Sequence, residues 1–195
     1  MDDFDTVEYV LAHYRYNQRS GSCRQVLALS TTDLHSLQEL PVESREVLES
    51  ALVCEFTVVS PSGRPITHPL LPLYDSQDGR LFVTSSVLFS KKLDHIKQNP
   101  KVSALFSHRA GIRVSPYRIL LVQGNAKVAE EDIHHGWERL LPLWRKKEPY
   151  IDNFVKMRYA LPLFWERSVM ELSPTKVYSW PKGDANQPPE VYRVK

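Results

Sequence analysis

The sequence has few cysteines, little net charge and no long apolar run. Cys23 and Cys54 are the only cysteines in 195 residues, too few for a disulfide framework and without zinc-site spacing, which favours a reducing compartment. The net charge of +2 and the scattered basic residues do not indicate a nucleic-acid partner. The longest aliphatic stretches, such as residues 119–122, are far too short to cross a bilayer. With an acidic beginning that does not resemble a secretory signal, the sequence predicts a cytoplasmic protein that contacts no membrane.

The composition is that of an ordinary globular protein, with 42% hydrophobic and 25% charged residues, and the length suits one domain with appendages. Helical periodicity near the beginning predicts an N-terminal helical extension over residues 1–40. Residues 41–181 are interpreted as the main domain, with a helical insertion at about 132–160 that forms two helices or one broken one. The C-terminal tail, residues 182–195, is expected to be loosely held.

Short β-branched and aromatic runs predict an antiparallel sheet. The first three runs cover residues 53–60, 65–74 and 80–85, and the turns between them contain Gly63 and Gly79, which can adopt the positive φ of a tight hairpin. Further strands are predicted after these. The fold class is therefore mainly β (α+β): a small antiparallel barrel with peripheral helices, which closes its edges by curling on itself.

Two prolines interrupt the second predicted strand. Pro69 and Pro72 cannot donate ladder hydrogen bonds. The strand is therefore expected to be an edge strand, to be bulged, or to face a ligand along part of its length.

One helix begins with a hydroxyl residue and two lysines, in the stretch "SKKLDHIKQNPKV" of residues 90–102. The free N–H groups of a helix N-terminus attract an anion. Lys91 and Lys92 are unfavourable beside this end of the helix dipole unless an anion lies between. The alternative is that the lysines are solvated and that the preceding serines, Ser90 among them, act as simple N-caps.

Three motifs, in order and at matching spacing, resemble the pyridoxamine 5′-phosphate oxidase-like, FMN-binding split-barrel family. They are "SGRP" (62–65), "GRLFVTS" (79–85) and the helix stretch of residues 90–102. The resemblance covers roughly residues 40–128. It implies a split barrel, a homodimer with FMN at the subunit interface, and a small-molecule substrate.

The resemblance also implies which residues bind the cofactor. The phosphate would be held by Ser90, Lys91, Lys92 and the strand hydroxyls, and the second strand would lie along the isoalloxazine ring. Trp180, near the end of the last strand, is a further candidate for the ring pocket. The full set is Thr67, His68, Pro69, Leu70, Val83, Thr84, Ser85, Ser86, Ser90, Lys91, Lys92 and Trp180.

The implied function is hydride transfer between a reduced nicotinamide-type donor and a small organic acceptor. A bound flavin would supply the reactive atom, so no catalytic side chain is assigned. The tail lacks the arginine- and histidine-bearing motif of the oxidases that act on vitamin B6, so that substrate is not expected. Residues 159–181 resemble members of the family that include users of the deazaflavin F420. The alternatives are thus an F420-dependent reductase and a non-enzymatic flavin- or haem-binding protein.

Two other features suggest less specific roles. His134 and His135 invite a metal site, but adjacent residues of a helix point about 100° apart, so no metal is assigned. Trp137, Trp144 and Trp165 are expected to fill a core or an interface.

Overall fold

The computed structural model describes residues 31–107 and 117–195. The predicted N-terminal helix and most of the extension of residues 1–40 lie outside the described residues. The described strands are β1 (Thr31–Leu34), β2 (Cys54–Val59), β3 (Pro65–Leu70), β4 (Leu73–Asp75), β5 (Arg80–Ser86), β6 (Lys101–Phe106), β7 (Ile119–Ala129), β8 (Arg167–Trp180) and β9 (Glu190–Val194). The α-helices in the same residues are α1 (Val42–Ser50), α2 (Lys91–Gln98), α3 (Leu141–Lys147), α4 (Ile151–Lys156) and α5 (Pro162–Trp165). None of these helices has the length and hydropathy of a membrane span.

The strands form one curved sheet in the order β1-β9-β8-β7-β6-β2-β3, and β5 joins it by pairing with both β8 and β4. Every pairing is antiparallel except that of β1 with β9. The predicted antiparallel split barrel with peripheral helices is thereby confirmed. Closure of the edges is not: within the described residues no ladder joins β3 to β4 or β5. Pro69 and Pro72 remove hydrogen-bond donors at this point, so the sheet is open there.

The hairpin connections follow the sequence prediction. Gly63 and Gly79 have φ values of 78° and 66°, which only glycine adopts without strain. The β2–β3 turn is closed by a hydrogen bond from the Gly63 N–H to the Ser60 carbonyl, at 2.8 Å. Among the described strands, β3, which follows this turn, pairs only with β2, so its predicted edge position is also confirmed.

The barrel interior is filled from alternate positions of its strands. In β2 and β6 every second side chain is buried, as the two-residue period of a strand requires. Phe56, Phe106, Leu120 and Met170 are among the largest side chains of this core. The large buried area makes the barrel the stable frame on which the other elements lie.

A second core joins the helical insertion to the outer face of β5. Trp137, Trp144 and Trp165 pack with Phe82 and Leu73, and the rings of Trp137 and Trp165 stack with centroids 5.4 Å apart. These tryptophans therefore fill a core, as expected. They fix the insertion to the strand that carries the predicted phosphate-binding hydroxyls.

The insertion contains the two predicted helices, α3 and α4, but its first part differs from the prediction. Residues 131–137 form turns rather than a helix, because Asp132 accepts backbone hydrogen bonds from His134 and His135. The two histidine rings face different carboxylates, Glu166 at 3.4 Å and Glu138 at 3.1 Å. Among the described residues, no group of three or more His, Cys, Asp or Glu side chains is placed to hold a metal ion.

The tail is not loosely held, which corrects the expectation from sequence. Its strand β9 pairs antiparallel with β8 and parallel with β1. Val191 and Tyr192 are buried, and Glu190 accepts a 2.9 Å ion pair from Arg118. The polar and proline-rich residues before β9 concealed this short strand, one of whose partners, β1, precedes the main domain.

A buried lysine links the insertion to α1. Lys147 Nζ donates to the carbonyls of Leu48 and Ala51, both at 2.8 Å, and so satisfies acceptors at the C-terminal end of α1. Burial lowers the pKa of Lys147 to about 7, although the nearby Cys54 and Glu49 raise it. The helix end is thus capped at the cost of a desolvated ammonium group.

We predict that replacing Lys147 with methionine changes how stability depends on pH. The folded protein binds fewer protons than the unfolded chain between pH about 7 and the ordinary lysine pKa of 10.5, so this group adds stability as the pH rises through that window. Urea unfolding of both proteins from pH 6 to 10 should show the wild type gaining stability relative to Lys147→Met. Parallel curves would contradict the desolvated state of Lys147.

Candidate anion-binding site

Beyond Phe82, one edge of β5 is left unpaired by the described strands, although residues Leu81–Ser86 are buried. β5 pairs with β8 from Leu81 to Ser86 but with β4 only as far as Phe82. The N–H of Val87 continues the β8 ladder by donating to the Glu166 carbonyl. Hydrogen-bonding direction alternates along an antiparallel strand, so the backbone groups of Thr84 and Ser86 face away from β8. In the described part of the chain, no strand covers the edge beyond Phe82.

Lys92 lies on one side of this edge. It belongs to the first turn of α2 and keeps only 6% of its surface exposed. Its Nζ donates to Ser85 Oγ at 2.9 Å and to the Phe89 carbonyl at 3.0 Å. Burial lowers its pKa, and the positive charge of Arg167 lowers it further. The charged form of the ammonium group is therefore destabilised by burial, by Arg167 and by the positive end of the α2 dipole.

Arg167 lies on the other side of β5. Its Nε and Nη2 donate to Thr84 Oγ1 at 3.1 and 3.0 Å, and its Nη1 donates to the Phe164 carbonyl at 3.3 Å. The guanidinium carbon is 5.3 Å from the ring centroid of Trp144 and 5.1 Å from that of Phe164. Burial lowers the pKa of Arg167 to about 10.

The two cations lack an acidic partner. Within the described residues neither Lys92 nor Arg167 forms an ion pair with a carboxylate. Lys92 is buried and Arg167 is partly buried, and desolvated charges without a counter-ion are costly, the more so when two have the same sign. Thr84 and Ser85 supply hydroxyl groups between them. The arrangement therefore suits an anion at the strand edge, which would neutralise both charges and accept hydrogen bonds from the two cations.

The remaining predicted phosphate-binding residues form other contacts or are exposed. Ser86 Oγ accepts from the Leu88 N–H and donates to the Leu163 carbonyl, so it joins the insertion to β5. Val83 is buried in the barrel core. Ser90 precedes α2 without a side-chain capping bond and is exposed, as is Lys91.

Lys91 faces a different space from Lys92. An open cleft of about 650 Å³ lies between the β2–β3 turn and α2, with Lys91, Asp94 and His95 on one wall and Ser60 and Arg64 on the other. Adjacent residues of a helix point in directions about 100° apart. Lys91 and Lys92 therefore place positive charge on two different sides of α2.

The predicted ring-contacting strand, β3, is accessible along its length. None of its residues is fully buried. Thr67 shares a 2.8 Å hydrogen bond with Thr57, Pro69 is exposed, and Leu70 packs against the barrel core. Burial lowers the pKa of His68, and the charges of Lys92 and His95 lower it further, which favours the neutral imidazole.

Trp180 lies at the far end of β8, where it stacks on Tyr178 with centroids 6.3 Å apart. Arg167 begins the same strand, so the two residues are separated by roughly 40 Å of extended chain. Within one chain, Trp180 and the cationic site are not brought together.

Arg167 is the functional candidate that the sequence did not provide. From sequence, Glu166 and Arg167 could form a buried or a surface ion pair; instead Glu166 faces His134 and Arg167 faces Thr84. The informative signal is the pairing of β8 with β5, which sets Arg167 opposite Ser86. That register is a long-range property and leaves no mark in the local sequence.

Comparison with known proteins identifies the family. The family model for pyridoxamine 5′-phosphate oxidase matches residues 40–181, which is more than half of the chain. The chain belongs to the pyridoxamine 5′-phosphate oxidase family. No curated protein matches the sequence at a significant level.

Solved structures of low sequence identity share the fold of this family member. A protein from Clostridium acetobutylicum, related to general stress protein 26, has a TM-score of 0.53 and 13% identity, over 78% of this chain and 93% of that one. An FMN-binding protein related to pyridoxamine 5′-phosphate oxidase, from Nostoc punctiforme, has a TM-score of 0.50 and 15% identity, with 76% and 86% covered. An F420 reductase has a TM-score of 0.50 and 20% identity, with 71% and 98% covered.

We predict that inorganic phosphate raises the melting temperature of this protein through Lys92. Phosphate would remove the electrostatic cost of the buried ammonium group and stabilise the folded state by mass action. Thermal unfolding in phosphate and in chloride at equal ionic strength should show a rise for the wild type and for the control Lys91→Met. Lys92→Met should show little rise, and without phosphate it should be at least as stable as the wild type. An equal rise in all three proteins would contradict the assignment.

Proposed function

We propose that the protein binds FMN non-covalently and acts as an oxidoreductase, transferring a hydride between a reduced nicotinamide-type donor and a small organic acceptor. The observation that carries this proposal is the pair of cations at the unpaired edge of β5, Lys92 buried and Arg167 partly buried, which no carboxylate of the described residues pairs with. Membership of the pyridoxamine 5′-phosphate oxidase family and the FMN-binding structural neighbour support it. A cytoplasmic location, where reduced nicotinamides are available, fits the same proposal.

The residues present suit the phosphate end of FMN. Lys92 and the α2 N-terminus supply positive charge, and Ser85 Oγ accepts from Lys92 while its own proton can turn from the Ser86 carbonyl, 3.2 Å away, to a phosphate oxygen. Charge-assisted hydrogen bonds of this kind contribute about 1.5–3 kcal/mol each. The first role of the chain would thus be to fix the phosphate, and with it the position of the ring.

When bound, FMN supplies the hydride-accepting ring. The ring would lie along β3, where Thr67, His68, Pro69 and Leu70 are accessible and no further strand can pair fully because Pro69 lacks an N–H. A neutral His68 could donate or accept one hydrogen bond at the ring edge without adding charge. The protein's contribution would be orientation and exclusion of water rather than a catalytic side chain.

The proposal includes a homodimer. Trp180 lies at the opposite end of β8 from the cationic site, so a second copy would have to provide the tryptophan for a ring pocket beside that site. Exposed apolar side chains beside the site, among them Leu88, Phe89 and Leu163, are suited to burial against that copy. The small-molecule substrate would then enter between the subunits.

F420 is the second candidate cofactor, favoured by the structural neighbour that is an F420 reductase. It also carries a phosphate, so the same cations could hold it. A flavin carrier without turnover would use the same site.

The proposed cofactor is tested by visible absorption of the purified protein after incubation with FMN and removal of unbound ligand. We predict a two-band flavin spectrum that stays with the wild type, is lost in Lys92→Met and is retained in the control Arg139→Met. Oxidation of NAD(P)H with an added acceptor would then separate a reductase from a carrier. A wild type that retains F420 but no FMN would contradict the proposal and establish the second candidate.

A further inference from the structure

We propose that Arg167, held by the helical insertion, is a second phosphate ligand, and that Arg167 and Lys92 together select a phosphomonoester dianion over a diester or a neutral ligand. The inference rests on the proposed function and deepens it, because it states which form of phosphate this site accepts. Neither the family resemblance nor the sequence motifs point to Arg167.

The first argument is the position of the two cations. Thr84 and Ser85 are successive residues of a strand, so their side chains lie on opposite faces of β5. Arg167 donates to the first and Lys92 to the second. The two cations therefore lie on either side of the β5 edge at which no described strand pairs with the backbone of Thr84. An anion at that edge lies between them.

The second argument is the number of hydrogen-bond donors that remain. Arginine has five N–H groups and a charged lysine has three. Three of the five in Arg167 are engaged with Thr84 and Phe164, and two of the three in Lys92 are engaged with Ser85 and Phe89. Within the described residues, each cation thus keeps at least one donor for an oxygen of the ligand.

The third argument is that Arg167 is fixed before any ligand arrives. Its guanidinium group lies over Trp144 and Phe164, and Trp144 belongs to the tryptophan core that attaches the insertion to β5. A planar cation stacked on aromatic rings loses little further freedom when it binds phosphate. The insertion therefore contributes to ligand affinity without contacting the ligand itself.

The fourth argument is charge balance. The positive charges of the buried Lys92 and the partly buried Arg167 are matched by a phosphomonoester, which carries −1.5 to −2 charges near pH 7. FMN is such a monoester, whereas the phosphate of F420 is a diester with one negative charge. The site therefore favours FMN of the two candidate cofactors.

The test compares three ligands: FMN, riboflavin 4′,5′-cyclic phosphate, which is a diester, and riboflavin, which has no phosphate. Dissociation constants are measured by flavin fluorescence for the wild type, Arg167→Met, Arg167→Lys and the control Arg139→Met, an exposed arginine of the insertion. Arg167→Met should weaken FMN binding by about 10- to 100-fold. It should weaken binding of the cyclic diester less and leave riboflavin binding unchanged. The dissociation constant of Arg167→Lys for FMN should lie between those of the wild type and Arg167→Met, because lysine keeps the charge but lacks the planar guanidinium group.

The outcomes separate the inference from the proposed function. If Arg167→Met weakens FMN and riboflavin equally, Arg167 is structural and the inference is overturned. If the wild type binds no flavin, the proposed cofactor is wrong, and thermal stabilisation by inorganic phosphate then tests the inference. The inference stands if Arg167→Met abolishes this stabilisation. It is overturned if Arg167→Met is stabilised as much as the wild type. If Arg167→Met does not fold, Arg167→Lys takes its place. The ratio of its dissociation constants for FMN and riboflavin is compared with that of the wild type, and an unchanged ratio overturns the inference.

Discussion

The rest of the site depends on two positive charges, Lys92 buried and Arg167 partly buried, that no carboxylate of the described residues neutralises. Lys92 reaches the edge of β5 from the barrel side, and Arg167 reaches it from the side of the insertion. Their depressed pKa values show that burial, and in Lys92 also mutual repulsion, opposes the charged forms. A protein retains such an arrangement at a cost in stability when a ligand repays it. A phosphate accounts for the charges, the hydroxyls and the open strand edge together.

The two cores explain how this arrangement persists. The barrel core anchors one face of β5 through Val83 and its neighbours, and the tryptophan core anchors the other through Phe82. Lys147 and Ser86 add hydrogen bonds between the insertion and the rest of the chain. Because β5 is held on both faces, the edge between Lys92 and Arg167 is rigid. Rigid support of this kind lowers the entropic cost of binding.

Local signals predicted much of the fold. Runs of β-branched and aromatic residues predicted the strands, Gly63 and Gly79 the hairpins, and Pro69 an edge strand. The stretch of residues 90–102 and the motifs before it indicated a phosphate site. What escaped prediction depends on contacts between distant residues. The strand β9 is stable only because β1 and β8 flank it, and Arg167 reaches the site only through the register of β5 on β8. Residues next to each other in sequence, such as Lys91 and Lys92, were also given one role although the helix points them apart.

A crystal structure of the protein grown with FMN tests the central claim most directly. The account predicts that the phosphate lies at the free edge of β5, with its oxygens about 2.7–2.9 Å from Lys92 Nζ and an Arg167 nitrogen. A phosphate bound elsewhere, for example in the cleft beside Lys91 and Arg64, with Lys92 and Arg167 still bonded only to the chain itself, would contradict it.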